Sequence, residues 1–207
     1  MNTYLRQALP ACLLAVAALG AGLAQAAAAS PATTGSSALP TDSIYQLPLT
    51  FTDQDGRDFS LAEHRGKPVL VSMFYTSCQF VCPMLIDAIR SNEAELSAPD
   101  RAQLSVVLVS FDPVHDSVTV LKRTAGERHL DAAHWSLART DTKSVRKLAA
   151  LLGVQYRQLP NGDFNHSTVI ALIDREGRIA AKTVKLGDVD TEFVKQMKNV
   201  AGQGPAQ

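Results

Sequence analysis

The run Lys67-Pro68-Val69-Leu70-Val71-Ser72-Met73-Phe74-Tyr75 is almost uninterruptedly apolar and β-prone, and it leads directly into a turn that carries two cysteines. A strand of that composition needs both faces covered, which places it at the centre of a sheet with helices packed against it. Beyond the turn, Met84, Leu85, Ala88, Ile89 and Leu96 recur at helical spacing. Pro83 is tolerated there because the first turn of a helix has no N–H partners to lose. Strand, cysteine turn and helix therefore follow in order.

The rest of the chain repeats that alternation. Leu47, Leu49 and Phe51 alternate with Pro48 and Thr50, Asp53-Gln54-Asp55-Gly56 makes a turn, and Phe59 resumes the pattern, which predicts a β-hairpin. Leu104 to Phe111 reads as a second buried strand. Asp116 or Ser117 caps a helix running towards His129, and Trp135-Ser136-Leu137 is a short strand. Asp141 or Thr142 caps a helix to Leu152 that Gly153 ends. Val154 to Leu159 and Thr168 to Asp174 read as strands, Glu176-Gly177 turns the second into Ile179 to Val184, and a last helix spans about Asp190 to Val200. Strands that alternate with helices imply an α/β layered fold with right-handed crossovers.

The first residues read differently. A short start carrying Arg6, an apolar run from Ala11 to Ala24 and an Ala24-Gln25-Ala26 cleavage site have the form of an export signal over residues 1–26. That run is about 14 residues, where a spanning helix needs roughly 20. No later segment is apolar enough to span a bilayer, so cleavage is expected to leave a periplasmic, soluble protein without a stable membrane span. Residues 27–43 are rich in Ala, Ser, Thr, Pro and Gly and are expected to be a disordered linker. Residues 44–200 then form one domain and 201–207 a flexible tail. Lys and Arg total 20, as do Asp and Glu, so nothing marks nucleic acid as a partner.

Cys12 lies in the signal, which leaves Cys78 and Cys82. A disulfide between residues this close removes little chain entropy, so redox or metal chemistry explains the pair better than a structural bridge does. The run Tyr75-Thr76-Ser77-Cys78-Gln79-Phe80-Val81-Cys82-Pro83 sits at the carboxyl end of a buried strand and at a helix start, where the dipole favours thiolate. Dithiol oxidoreductases of the thioredoxin type use Cys-x-x-Cys; here three residues intervene. Two thiolates and one imidazole suit Cu(I) or Cu(II), whereas structural zinc wants four ligands. His166 is the third candidate, directly before a buried strand, where a thioredoxin-like protein usually has a residue followed by a cis-proline; Ser167 stands in that proline's place. His64, His115, His129 and His134 lack such a setting and read as surface or loop residues.

Tyr75-Thr76-x-Cys78-x-x-x-Cys82-Pro83 followed by a distant His166-Ser167 before Leu172-Ile173-Asp174 resembles the Sco/SenC family of copper chaperones. Asp55-Gly56-Arg57, Gly66-Lys67, Ser110-Phe111-Asp112-Pro113 and Asp174-Arg175-Glu176-Gly177-Arg178 add to the resemblance, which covers about Leu47 to Lys198. It implies a thioredoxin-like fold with a central mixed sheet flanked by helices and an added N-terminal β-hairpin. It implies copper held by Cys78, Cys82 and His166, taken from a copper donor and delivered to an acceptor such as cytochrome c oxidase subunit II, by a monomer. Asp112, after the second strand, is a candidate for supporting those ligands or simply for shaping the Asp-Pro turn. Many members have Pro after the first Cys and Asp before the His, where this chain has Gln79 and Asn165. The alternative to a chaperone is a thiol–disulfide oxidoreductase acting on the cysteines of a copper-site target, with Cys78 attacking and Cys82 resolving.

Overall fold

The computed structural model describes residues 38–203 except Gln79. The expected export signal, most of the expected linker, the last four residues and the Gln79 departure lie outside the described residues. Within them a seven-stranded mixed sheet has the order β2-β1-β5-β4-β3-β8-β9. Its strands are β1 (Phe51–Asp53), β2 (Asp58–Phe59), β3 (Val69–Phe74), β4 (Ser105–Ser110), β5 (Trp135–Arg139), β8 (Ile170–Ile173) and β9 (Ile179–Thr183).

β3 is central, as its composition requires. It runs parallel to β4 from Val69↔Ser105 to Phe74↔Ser110, and antiparallel to β8 on its other side. All six of its residues are buried, each large apolar side chain contributing about 1.5–3 kcal/mol by leaving water. Its one polar side chain is satisfied, since the Ser72 hydroxyl donates to the Val169 carbonyl at 2.6 Å. The N-terminal hairpin turns where the Asp53 carboxylate accepts from the N–H groups of Asp55 and Arg57, both at 2.9 Å, and β1 then joins the sheet edge by pairing antiparallel with β5.

The helices are α1 (Val81–Ala94), α2 (Ala98–Gln103), α3 (Val118–Glu127), α4 (Thr142–Leu152) and α5 (Thr191–Gly202). Local chemistry sets several of their ends. Ser117 caps α3, Asp141 caps α4 through the N–H groups of Lys143 and Ser144, and Gly153 ends α4 at φ 78°. Among the described residues no helix is long and apolar enough to cross a membrane.

Three expectations need correction. Leu47 and Leu49 are not in a strand; Ile44–Gln46 form a short 3-10 turn and Ser43 donates to the Glu176 carbonyl, so this segment packs on the β8–β9 turn instead. α2 was not expected; Ser97 caps it and Pro99 sits in its first turn. The run from Val154 to Leu159 shortens to β6 (Tyr156–Gln158) and joins no strand of the main sheet. It pairs with β7 (Phe164–His166) in a separate hairpin, Tyr156 opposite His166. His166 consequently ends a hairpin and does not directly precede the buried strand β8.

Candidate metal centre

α1 begins without a conventional cap. Phe80 occupies the N-cap position and makes no side-chain bond, but the Cys82 N–H donates to the Cys78 sulfur at 3.4 Å. A sulfur thus does what a Ser or Asp oxygen usually does at a helix start. Its consequence is electrostatic. Partial burial pushes the Cys78 thiol up, but the Cys82 N–H, the Cys82 thiol and the N–H groups of Phe80 and Val81 outweigh it and hold Cys78 below the ordinary thiol value. Cys82, 6% exposed in the first turn of α1, is pushed the other way, by burial first and also by the nearby charges of Cys78 and Asp116. The two thiols are free and chemically unequal.

His166 approaches from the hairpin. An aromatic cluster holds it there: its ring lies 4.9 Å from Phe111 and 5.8 Å, edge-on, from Tyr75, and Phe164 packs 5.2 Å from Tyr75 and 5.0 Å from Phe111. These contacts tie the hairpin to the ends of β3 and β4. The His166 Nδ1–H donates to the Ser167 carbonyl at 3.2 Å, so in the neutral ring Nε2 is the nitrogen that carries the lone pair for a ligand bond. Cys78 and His166 line one cleft of about 640 Å³, together with Tyr75, Phe80 and Asn165. Cys82 lies behind Cys78 and does not line it. Among the described residues no three His, Cys, Asp or Glu side chains already stand as a group that could hold a metal ion.

The residue that supports the cysteine turn is Asp116. It is 1% exposed, and its carboxylate accepts from the Thr76 N–H at 3.1 Å, from the Thr76 hydroxyl and from the Ser110 hydroxyl. It therefore fastens the turn to the end of β4. The candidate Asp112 does not reach the thiols; its carboxylate holds His115 Nδ1 at 2.8 Å. Two other histidines also have partners. His134 pairs with the buried Glu93 of α1 at 2.7 Å, and His64 packs edge-on against Phe59, where burial lowers its pKa.

A mixed sheet flanked by helices, with two cysteines at the end of its central strand and the start of the next helix, defines a thioredoxin-like dithiol protein. The SCO1/SenC family model matches residues 38–202, and the chain belongs to that family. It is 27% identical over 134 residues to "Protein SCO2, mitochondrial" of Saccharomyces cerevisiae, covering 63% of this chain and 44% of that one. Across the curated relatives it matches, the chain spans from under half to about two thirds of their length. A putative electron transfer protein of Aquifex aeolicus superposes with TM-score 0.67 at 26% identity, covering 80% of this chain and 94% of that one. Bradyrhizobium japonicum ScoI, solved with copper bound, superposes with TM-score 0.63 at 25% identity, covering 74% and 98%.

Proposed function

We propose that this protein is an exported, periplasmic copper chaperone that holds one copper ion through Cys78, Cys82 and His166 and passes it to a respiratory copper centre such as that of cytochrome c oxidase. The observation that carries the reading is the shared cleft of the Cys78 thiol and the His166 imidazole, with the Cys82 thiol in side-chain contact with that of Cys78. Two soft thiolates and one nitrogen with a free lone pair are a donor set that fits copper in either oxidation state. The β6–β7 hairpin, unpaired with the main sheet, is the element whose displacement brings His166 to the sulfurs. Ligand number then changes by moving one hairpin, which suits a protein that must release its cargo.

Anaerobic titration of the reduced protein tests this. One copper per chain is expected, with strong sulfur-to-copper charge-transfer absorption for Cu(II), and binding is lost in Cys78→Ser. A stoichiometry near two, or unchanged binding in that variant, would overturn the site.

The unequal thiols support a second reading. A partly exposed, acidified Cys78 with a buried, thiol-form Cys82 behind it is the arrangement of an attacking and a resolving cysteine. In this role the Cys78 thiolate attacks a target disulfide and forms a mixed disulfide. Cys82, after losing its proton, then displaces the target's sulfur, which leaves the target reduced and this pair oxidised.

A further inference from the structure

We infer that a second cleft, which shares Phe164 with the cleft of Cys78 and His166, docks an acidic segment of a partner protein. It has a volume of about 510 Å³ and lies between the Asp112–His115 loop, α4 and the β6–β7 hairpin. Phe111, Tyr156 and Phe164 line it, Phe111 and Tyr156 stacked at 5.5 Å. Phe111 also touches Tyr75 and His166, and Phe164 touches Tyr75. Arg146 of α4 and Arg157 of β6 line the same cleft, and both are exposed. Among the described residues neither guanidinium has an ion pair or hydrogen bond.

The carboxylates at hand are already engaged. Asp112 holds His115 at 2.8 Å, and Asp141 caps α4 through the N–H groups of Lys143 and Ser144. Two unpaired guanidinium groups over an aromatic floor recognise carboxylates, which each fork can hold through two bonds. The rim decides between a free anion and a peptide. Val114 is 80% exposed beside the arginines, an apolar contact that a small anion cannot use and a peptide side chain can. The Arg139 guanidinium donates to the Pro113 carbonyl at 2.7 Å, so the loop that presents Val114 is fixed before anything binds. With equal numbers of acidic and basic residues in the chain, the cleft is a local cationic spot and not part of a basic stripe that could track a nucleic acid. Phe164 lines both clefts, so a segment docked here touches the hairpin that carries His166. The partner's role rests on the proposed copper exchange, but the test contains no copper, so either reading can fail alone.

The probe is a short fluorescein-labelled peptide of Glu and Asp with one central Phe, titrated with the purified protein and followed by fluorescence anisotropy. Its control replaces Glu and Asp by Gln and Asn. Binding of the acidic peptide is expected to weaken with salt and to fall on the order of tenfold in Arg146→Gln/Arg157→Gln. It is expected to persist in Lys143→Gln/Lys147→Gln, which removes two charges from α4 outside the cleft. The amide peptide should not bind. No binding, or an equal loss in the lysine variant, overturns the proposal. Displacement by free glutamate or inorganic phosphate at concentrations comparable to the peptide's also overturns it, because the cleft is then a small-anion site only.

Discussion

The Cys82 backbone N–H points at the Cys78 sulfur 3.4 Å away, so one thiol caps the helix in which the other is buried. Negative charge on Cys78 is stabilised by a helix start whose N-cap residue, Phe80, makes no side-chain bond, and negative charge on Cys82 is opposed by the surrounding core. The same four-residue spacing thus produces one sulfur that ionises more readily than an ordinary thiol and one that holds its proton more firmly.

Iodoacetamide labelling of the reduced protein, read by mass spectrometry across pH, should modify Cys78 first, with a midpoint below the ordinary thiol value near ~8.5. Cys82 should label slowly even where Cys78 is complete. Equal rates at the two positions would remove the asymmetry.

The buried thiol predicts an alkaline loss of stability. The folded-state value of Cys82 is raised, so its contribution is complete below about pH 8.5 and is lost as pH rises, because the unfolded chain releases a proton that the folded chain keeps. The slope reaches at most about 1.4 kcal/mol per pH unit. Cys78 has the opposite sign: its depressed value makes its contribution complete above that pH and lost as pH falls through its folded value. Urea melts of the reduced protein at about pH 8.5 and 9.5 should show the decline, and Cys82→Ala should flatten it. An unchanged slope in that variant would assign the loss to another group.

His166→Ala separates the two functional readings. Both thiols remain, so reduction of a disulfide substrate should be largely retained. Cu(I) tolerates two ligands, whereas Cu(II) prefers nitrogen and more of them, so Cu(II) affinity should fall further than Cu(I) affinity. Both affinities and disulfide reduction are measured on one preparation; unchanged binding of both ions would exclude the imidazole from the site and favour the oxidoreductase.

Asp116→Ala strands the buried Ser110 hydroxyl and the half-buried Thr76 N–H and should cost about 2–4 kcal/mol in urea unfolding. Asp116→Asn keeps an acceptor for one of them and should cost less. A loss below about 0.5 kcal/mol in Asp116→Ala would show that the turn holds itself.

Much of the framework is legible because its signals are local. The Val69–Phe74 strand declares itself by composition, α3 and α4 by Ser117 and Asp141, and the end of α4 by Gly153. The β6–β7 hairpin is less so. Its turn is signalled by Asn161-Gly162, with Gly162 at φ 89° and the Leu159 N–H bonded to the Asp163 carbonyl at 2.7 Å, yet its short strands alternate only weakly between inside and outside. Asp116 escaped for another reason. Beside Ser117 it reads as a helix cap, and the partner that gives it its role, Thr76, is brought to it only by the pairing of β3 with β4. Cys78 and His166 were readable as residues, but the cleft between them depends on the aromatic cluster.

The β6–β7 hairpin shares no strand pairing with the seven-stranded sheet. In the proposed site, two ligands accordingly sit at the end of the central strand and the third on a hairpin joined to that strand by side-chain packing and not by strand pairing. The lifetime of a bound ion and the melting temperature of the fold are then separate quantities. Substitutions of the half-buried rings Tyr156 and Phe164 should alter how long an ion stays more than they alter where the sheet melts, whereas Phe111 is part of the core and its substitution would lower both.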